Sequence, residues 1–145
     1  MSTHRVKHKW SDEGCLNGSV IDISPSNQLL ATGSAQGVVN VYDVKEILES
    51  KNPRPRKSVL NLTTDISCLK FNSSSELLAM ASSDVENAVR LLHLESLNVF
   101  SNFPNFGTKL GHIHSLGMSP NGGYLALGNK KSTVSLYRLK HFKNY

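Results

Sequence analysis

Apolar and polar positions along this chain come in short bursts, and the bursts recur in a fixed order. The first burst favours a β-strand: Val20-Ile21-Asp22-Ile23, then Cys68-Leu69-Lys70-Phe71, then Leu116-Gly117-Met118. A polar reversal follows each: Ser24-Pro25-Ser26-Asn27, Asn72-Ser73-Ser74-Ser75 and Ser119-Pro120-Asn121-Gly122. Pro presets φ and Asn tolerates left-handed backbone, so these segments predict tight turns. A second apolar run comes next: Leu29 to Ser34, Leu77 to Ser82 and Tyr124 to Asn129. It carries small residues at Ala31, Gly33, Ala79, Ala81, Ala126 and Gly128, which let neighbouring sheets approach closely. After a second turn, a third strand-like run closes each unit: Val38 to Val44, Val89 to Leu94 and Thr133 to Leu139. Ser24, Asn72 and Ser119 hold the same place in the three units, so the spacing is 48 and then 47 residues.

A weaker fourth run lies between units, at Ser58 to Leu62 and Val99 to Phe103, with Arg5 to Trp10 as its counterpart before the first. Four short antiparallel strands per unit describe a propeller blade. A repeat of this length points to a solenoid, propeller or array, which works by presenting surfaces. Helices starting at Leu29-Leu30 or Leu77-Leu78 are the rival reading, but the turns come too often for them. One short helical turn is expected, at Val44 to Glu49. The expected units are 19–62, 63–103 and 104–139, with 1–18 as the end of a preceding blade or a tail and 140–145 as a tail.

Composition changes this picture little. The chain has 145 residues, 39% of them hydrophobic, which suits one ordinary domain. Its formal charge of +5 permits contact with nucleic acid or an acidic partner without requiring either. The start, MSTHRVKHKW, lacks the apolar core of a secretory signal, and no apolar run approaches a membrane span. Cys15 and Cys68 fit no metal or redox spacing, and Cys68 reads most simply as a small buried hydrophobe.

The units resemble the WD-repeat family. Tyr42-Asp43 is similar to the Trp-Asp pair that ends the third strand of such a blade, and Leu92-His93 and Tyr137-Arg138 hold that place in degenerate form. Gly111-His112, whose histidine lies 25 residues before Tyr137, resembles the opening Gly-His pair. The segments VRLLHLESLNVFSNFPNFG and GYLALGNKKSTVSLYRLKHF more specifically resemble the carboxy-terminal blades of a small nucleolar RNA-associated WD-repeat family of the small-subunit processome. That resemblance implies an all-β fold of about three four-stranded blades, an incomplete ring from a propeller of about seven. It implies a nucleolar scaffold in ribosomal RNA precursor processing, with other processome proteins as partners. No cofactor, small-molecule substrate or membrane is implied. A WD-repeat adaptor in another pathway, such as ubiquitin ligation or signalling, is the alternative.

For sites, Lys51-Asn52-Pro53-Arg54-Pro55-Arg56-Lys57 is the densest basic segment. Lys51, Arg54, Arg56 and Lys57 are candidate contacts for RNA phosphates or an acidic partner, the plain alternative being a solvated loop. The resemblance places Lys130-Lys131 on the opposite face, where it reads as an ordinary exposed hairpin. Phe100 and Phe103 are expected to cover blade packing, while Phe106 is a candidate protein contact. His112 and His114 are too few for a metal; the resemblance implies a structural hydrogen-bond chain for His112, expected to be incomplete because Tyr137 stands for the Trp and Asn129 and Lys130 for the turn Asp. No phosphate loop, nucleophile elbow or paired carboxylates appear, so no enzyme activity is expected.

Overall fold

A computed structural model describes residues 5–139 of the chain; the predicted tail at 140–145 lies outside them. The first sheet holds β1 (Gly18–Ile23), β2 (Leu29–Ser34), β3 (Val39–Asp43) and β4 (Lys57–Val59). The second holds β5 (Ile66–Phe71), β6 (Leu77–Ser82), β7 (Val89–His93) and β8 (Asn98–Val99). The third holds β9 (Ile113–Met118), β10 (Tyr124–Asn129) and β11 (Val134–Arg138). Each is an antiparallel meander in chain order. β1 lies against β5 and β5 against β9, so the first strands sit side by side and the sheets follow one another like blades. The array is open rather than closed.

The repeated residues at positions 24, 72 and 119 have a mechanical reason. Ser24 Oγ, Asn72 Oδ1 and Ser119 Oγ each accept from the amide five residues on, at Leu29 (3.0 Å), Leu77 (2.9 Å) and Tyr124 (2.9 Å). Their own amides donate back to the carbonyls of the same three residues. Three residues further, Asn27, Ser75 and Gly122 all have positive φ, between 60° and 75°. The turn needs an acceptor at its start and a left-handed residue at its middle, and each unit supplies both.

Alternation then fills the spaces between sheets. Leu78, Met80 and Leu92 are buried with Val39, Val41, Leu69 and Phe71 between the first and second sheets. Ala79, Ala81, Val89 and Leu91 are buried with Ile113, Leu125 and Leu127 between the second and third. Full burial of each large aliphatic side chain contributes about 1.5–3 kcal/mol. Gly33 is required by this packing, because a Cβ there would lie 2.7 Å from Val20 Cγ1 and 2.8 Å from Ile66 Cβ.

The second-strand bounds coincide with the sequence reading, and the helical turn forms as α1 (Val44–Glu49), where Asp43 accepts from Lys45 N. The fourth strands differ. They are Lys57–Val59 and Asn98–Val99, shorter than expected, and 5–10 forms no strand. An outermost strand pairs on one side only, so its extent is weakly fixed. Beyond Val99, Phe100 and Phe103 pack into the second cluster instead of continuing the ladder. Among the described residues the third sheet has three strands rather than four. Cys68 is half-buried rather than buried, because it lies at the seam with the third sheet, where its thiol donates to the His114 carbonyl at 3.1 Å.

Candidate functional site

The antiparallel meander gives the molecule two ends. At one lie the 24–28, 72–76 and 119–123 turns and the long β3–β4 connection. At the other lie the 35–38, 83–88 and 130–133 turns with the 60–65 and 100–112 connections between sheets.

The β3–β4 connection carries the basic segment found in the sequence. α1 buries Ile47 under Leu30 and Tyr42. Pro53 is buried, and Arg56 N donates to the Val41 carbonyl at 2.7 Å. These two anchors hold the loop against the sheet while leaving Lys51, Arg54 and Arg56 exposed; Lys57, half-buried, starts β4 opposite Val41. The loop therefore presents three exposed cations from a tethered backbone.

The opposite end carries the 100–112 connection. Phe103 stacks edge-on against Tyr137 at 5.2 Å and 83°, and Leu110 is buried. Between these anchors the chain arches outward, and Phe106 at its crest is fully exposed. Leu110 N donates to Asn87 Oδ1, and Asn87 N donates to the Gly111 carbonyl, tying the foot of the arch to the 83–88 turn. His112 Nδ1 meets the Ser83 carbonyl at 2.8 Å, and Lys130 N donates to the His112 carbonyl. His112 is thus a link between two turns. Among the described residues no group of three His, Cys, Asp or Glu is close enough to hold a metal.

The same folding brings Lys109, His112, Lys130 and Lys131 around one hollow of about 630 Å³, with Glu86 at its edge. A second hollow of about 600 Å³ adjoins it, lined by Arg90, Phe100 and Phe106, and shares Glu86, Asn87, Gly107 and Thr108 with the first. Lys109 joins Lys130 and Lys131 only through the fold. The Lys51–Lys57 segment and this lysine group occupy opposite ends and form no common surface.

A third feature was not read from the sequence. The 10–16 segment crosses the outer side of the first sheet and inserts Asp12. Its Oδ1 accepts from Tyr42 OH at 2.6 Å and from Asn40 Nδ2 at 2.9 Å, and Asn40 Oδ1 accepts from Ser58 Oγ at 2.6 Å. Trp10 meets the Tyr42 ring edge-on at 5.7 Å. Burial pushes the Asp12 carboxyl up, but hydrogen bonding, with Tyr42 OH and Asn40 Nδ2 as donors, outweighs it and holds the carboxyl below the usual aspartate value. Burial and the same carboxylate push the Tyr42 hydroxyl up to about 12 and the Cys15 thiol to about 11. The one available signal was Asn40, an amide inside an apolar strand, since a buried polar group needs a partner. This cluster is structural: its hydrogen bonds fasten strands β3 and β4 to the 10–16 segment.

No helix among the described residues is long and apolar enough to cross a membrane. Residues 10–43 match the WD domain, G-beta repeat family. Over 140 residues the chain is 49% identical to the U3 small nucleolar RNA-associated protein 18 homolog of Drosophila melanogaster, covering 97% of this chain and 28% of that protein. It is 42% identical over 146 residues to the human homolog, covering 100% of this chain and 26% of the relative. It is 38% identical over 152 residues to the Saccharomyces cerevisiae protein of that name, covering 94% and 26%. The chain therefore spans about a quarter of the length of these relatives. In three dimensions it is similar to the β-propeller domain of Cps50 (Swd1) from Myceliophteria thermophila, with a TM-score of 0.65 at 13% identity, over 85% of this chain and 36% of the other. That likeness concerns the fold.

Proposed function

We propose that this chain, whose residues 10–43 match the WD domain, G-beta repeat family and which is similar along its whole length to U3 small nucleolar RNA-associated protein 18, is an interaction scaffold in ribosomal RNA precursor processing and small-subunit assembly. One observation carries this reading. The similarity to relatives of that one name extends over essentially the whole chain, not only over the blade pattern of residues 10–43. The chain then acts without catalysis, in the nucleolus, as a component of the small-subunit processome.

Blade architecture suits that role, because rigid sheets hold loops at two ends and leave both free for partners. Lys51, Arg54, Arg56 and Lys57 are proposed contacts for an acidic partner protein or RNA phosphates at one end, and Phe106 a proposed contact at the other. An epitope-tagged chain is expected to concentrate in nucleoli and to enrich U3 small nucleolar RNA and processome proteins on purification. An even cytosolic distribution with no enrichment of that RNA would overturn the proposal and favour an adaptor role in another pathway.

A further inference from the structure

We infer that the end of the molecule formed by the 100–112 arch and the 130–133 turn binds single-stranded RNA, with Phe106 stacking on a base and Lys109, Lys130 and Lys131 holding the backbone. The inference takes its ligand class from the function proposed above, and goes beyond it in assigning a site.

Two independent features meet there. The first is an aromatic ring with no packing role. Phe100 and Phe103, its neighbours in sequence, are spent on the seam between the second and third sheets, whereas Phe106 is fully exposed. The arch holding it is tied at both sides, by Phe103 against Tyr137 and by Leu110 to Asn87. A large apolar ring held out on an anchored loop is a ready platform for a flat ligand, since every nucleobase has a π-face.

The second feature is charge. Lys109, Lys130 and Lys131 are exposed, and with His112 they line the hollow that adjoins the one beside Phe106. Two different segments supply these lysines, and a backbone hydrogen bond from Lys130 N to the His112 carbonyl, 2.9 Å, ties the segments to each other. Arg90 lines the hollow on the Phe106 side. Glu86 sits where the two hollows meet and is the one acidic group among their lining residues, so it repels phosphate from the seam. A strand with its base on Phe106 and its phosphates over the lysines uses both features together. An acidic peptide uses only the lysines, and the β3–β4 loop at the far end offers cations without an aromatic.

The test uses the whole chain, checked for its β-type circular dichroism spectrum, with fluorescence anisotropy of two labelled probes. One is a short oligouridine and the other a base-free ribose-phosphate oligomer of the same length. Phe106→Ala is expected to weaken oligouridine binding about fivefold or more and to leave the base-free probe unchanged. Lys130→Ala with Lys131→Ala is expected to weaken both probes and to reduce the slope of log affinity against log salt by about 1.4. Both substitutions lie on exposed loops, so the spectrum stays as it is. If Phe106→Ala binds oligouridine like the parent chain, the assignment falls. It falls equally if a labelled oligoglutamate, run as a third probe beside them, binds while the oligouridine and the base-free oligomer do not, which makes the hollow an acidic-peptide site. Failure here leaves nucleolar association untouched, and loss of that association leaves the affinities untouched, so the two proposals fail separately.

Discussion

The third strands of the first and last sheets are written in nearly the same pattern and meet different fates. Val39, Val41 and Tyr42 of β3 are wholly buried. Their register counterparts in β11 are Val134, 71% exposed, Leu136, 65% exposed, and Tyr137, half-buried against Phe103. The first strands show the converse. Leu69 and Phe71 of β5 are buried against the first sheet, while their counterparts Ile21 and Ile23 of β1 are 62% and 51% exposed. A blade thus buries one face against its predecessor and the other against its successor. The two outer faces differ in turn: the 10–16 strap covers the outer part of the first sheet with Trp10 and Asp12, while the outer face of the third shows Val134 and Leu136. The pattern says which residues point together; a neighbour decides whether they are covered.

The sharpest way to break this comparison is to truncate equivalent leucines. Leu91→Ala, at 4% exposure, is expected to destabilise by about 2–5 kcal/mol in urea unfolding. Leu136→Ala is expected to change stability by about 0.5 kcal/mol or less. Equal losses would mean that something covers the outer face of the third sheet in solution.

A smaller effect compares equivalent glycines. Gly33→Ala places its methyl against Val20 and Ile66 between two sheets and is expected to cost about 1–3 kcal/mol. At Gly128 the added methyl meets chiefly the Ser115 hydroxyl, which can rotate aside, so Gly128→Ala should lie near the parent in thermal unfolding. A destabilised Gly128→Ala paired with a neutral Gly33→Ala would reverse the reading.

The smallest effect concerns the strap. Asp12→Asn keeps an acceptor for Tyr42 but exchanges a charge-assisted hydrogen bond for a neutral one, a loss of about 1 kcal/mol. Because the folded carboxyl lies below its usual value, the parent's advantage is full above the ordinary aspartate pKa. It fades as pH falls through the lower folded value. Unfolding curves of the two proteins should therefore converge on acidification; a gap that persists in acid would mean that Asp12 acts by shape rather than charge.

Much of the fold was legible locally. The second strands begin and end where the sequence reading placed them, because an acceptor and a left-handed residue bound each one. The α1 turn was legible from Val44 to Glu49, and Asp43 caps it. The fourth strands were legible only as weak runs, since pairing on one side lets the chain leave early. The Asp12 network was not legible, because Asp12 and Tyr42 are 30 residues apart and no motif in the sequence joins them. Of the candidate contacts, Lys51, Arg54, Arg56 and Phe106 were legible as residues, and the structure leaves all four exposed.

The sequence by itself determined the repeating unit, the inward and outward alternation of each strand and the turn chemistry, since these depend on residues at most a few positions apart. The tertiary structure alone decided which faces are covered, and that Lys109 shares a hollow with Lys130 and Lys131. Those outcomes depend on contacts between segments whose separation along the chain carries no periodic signal.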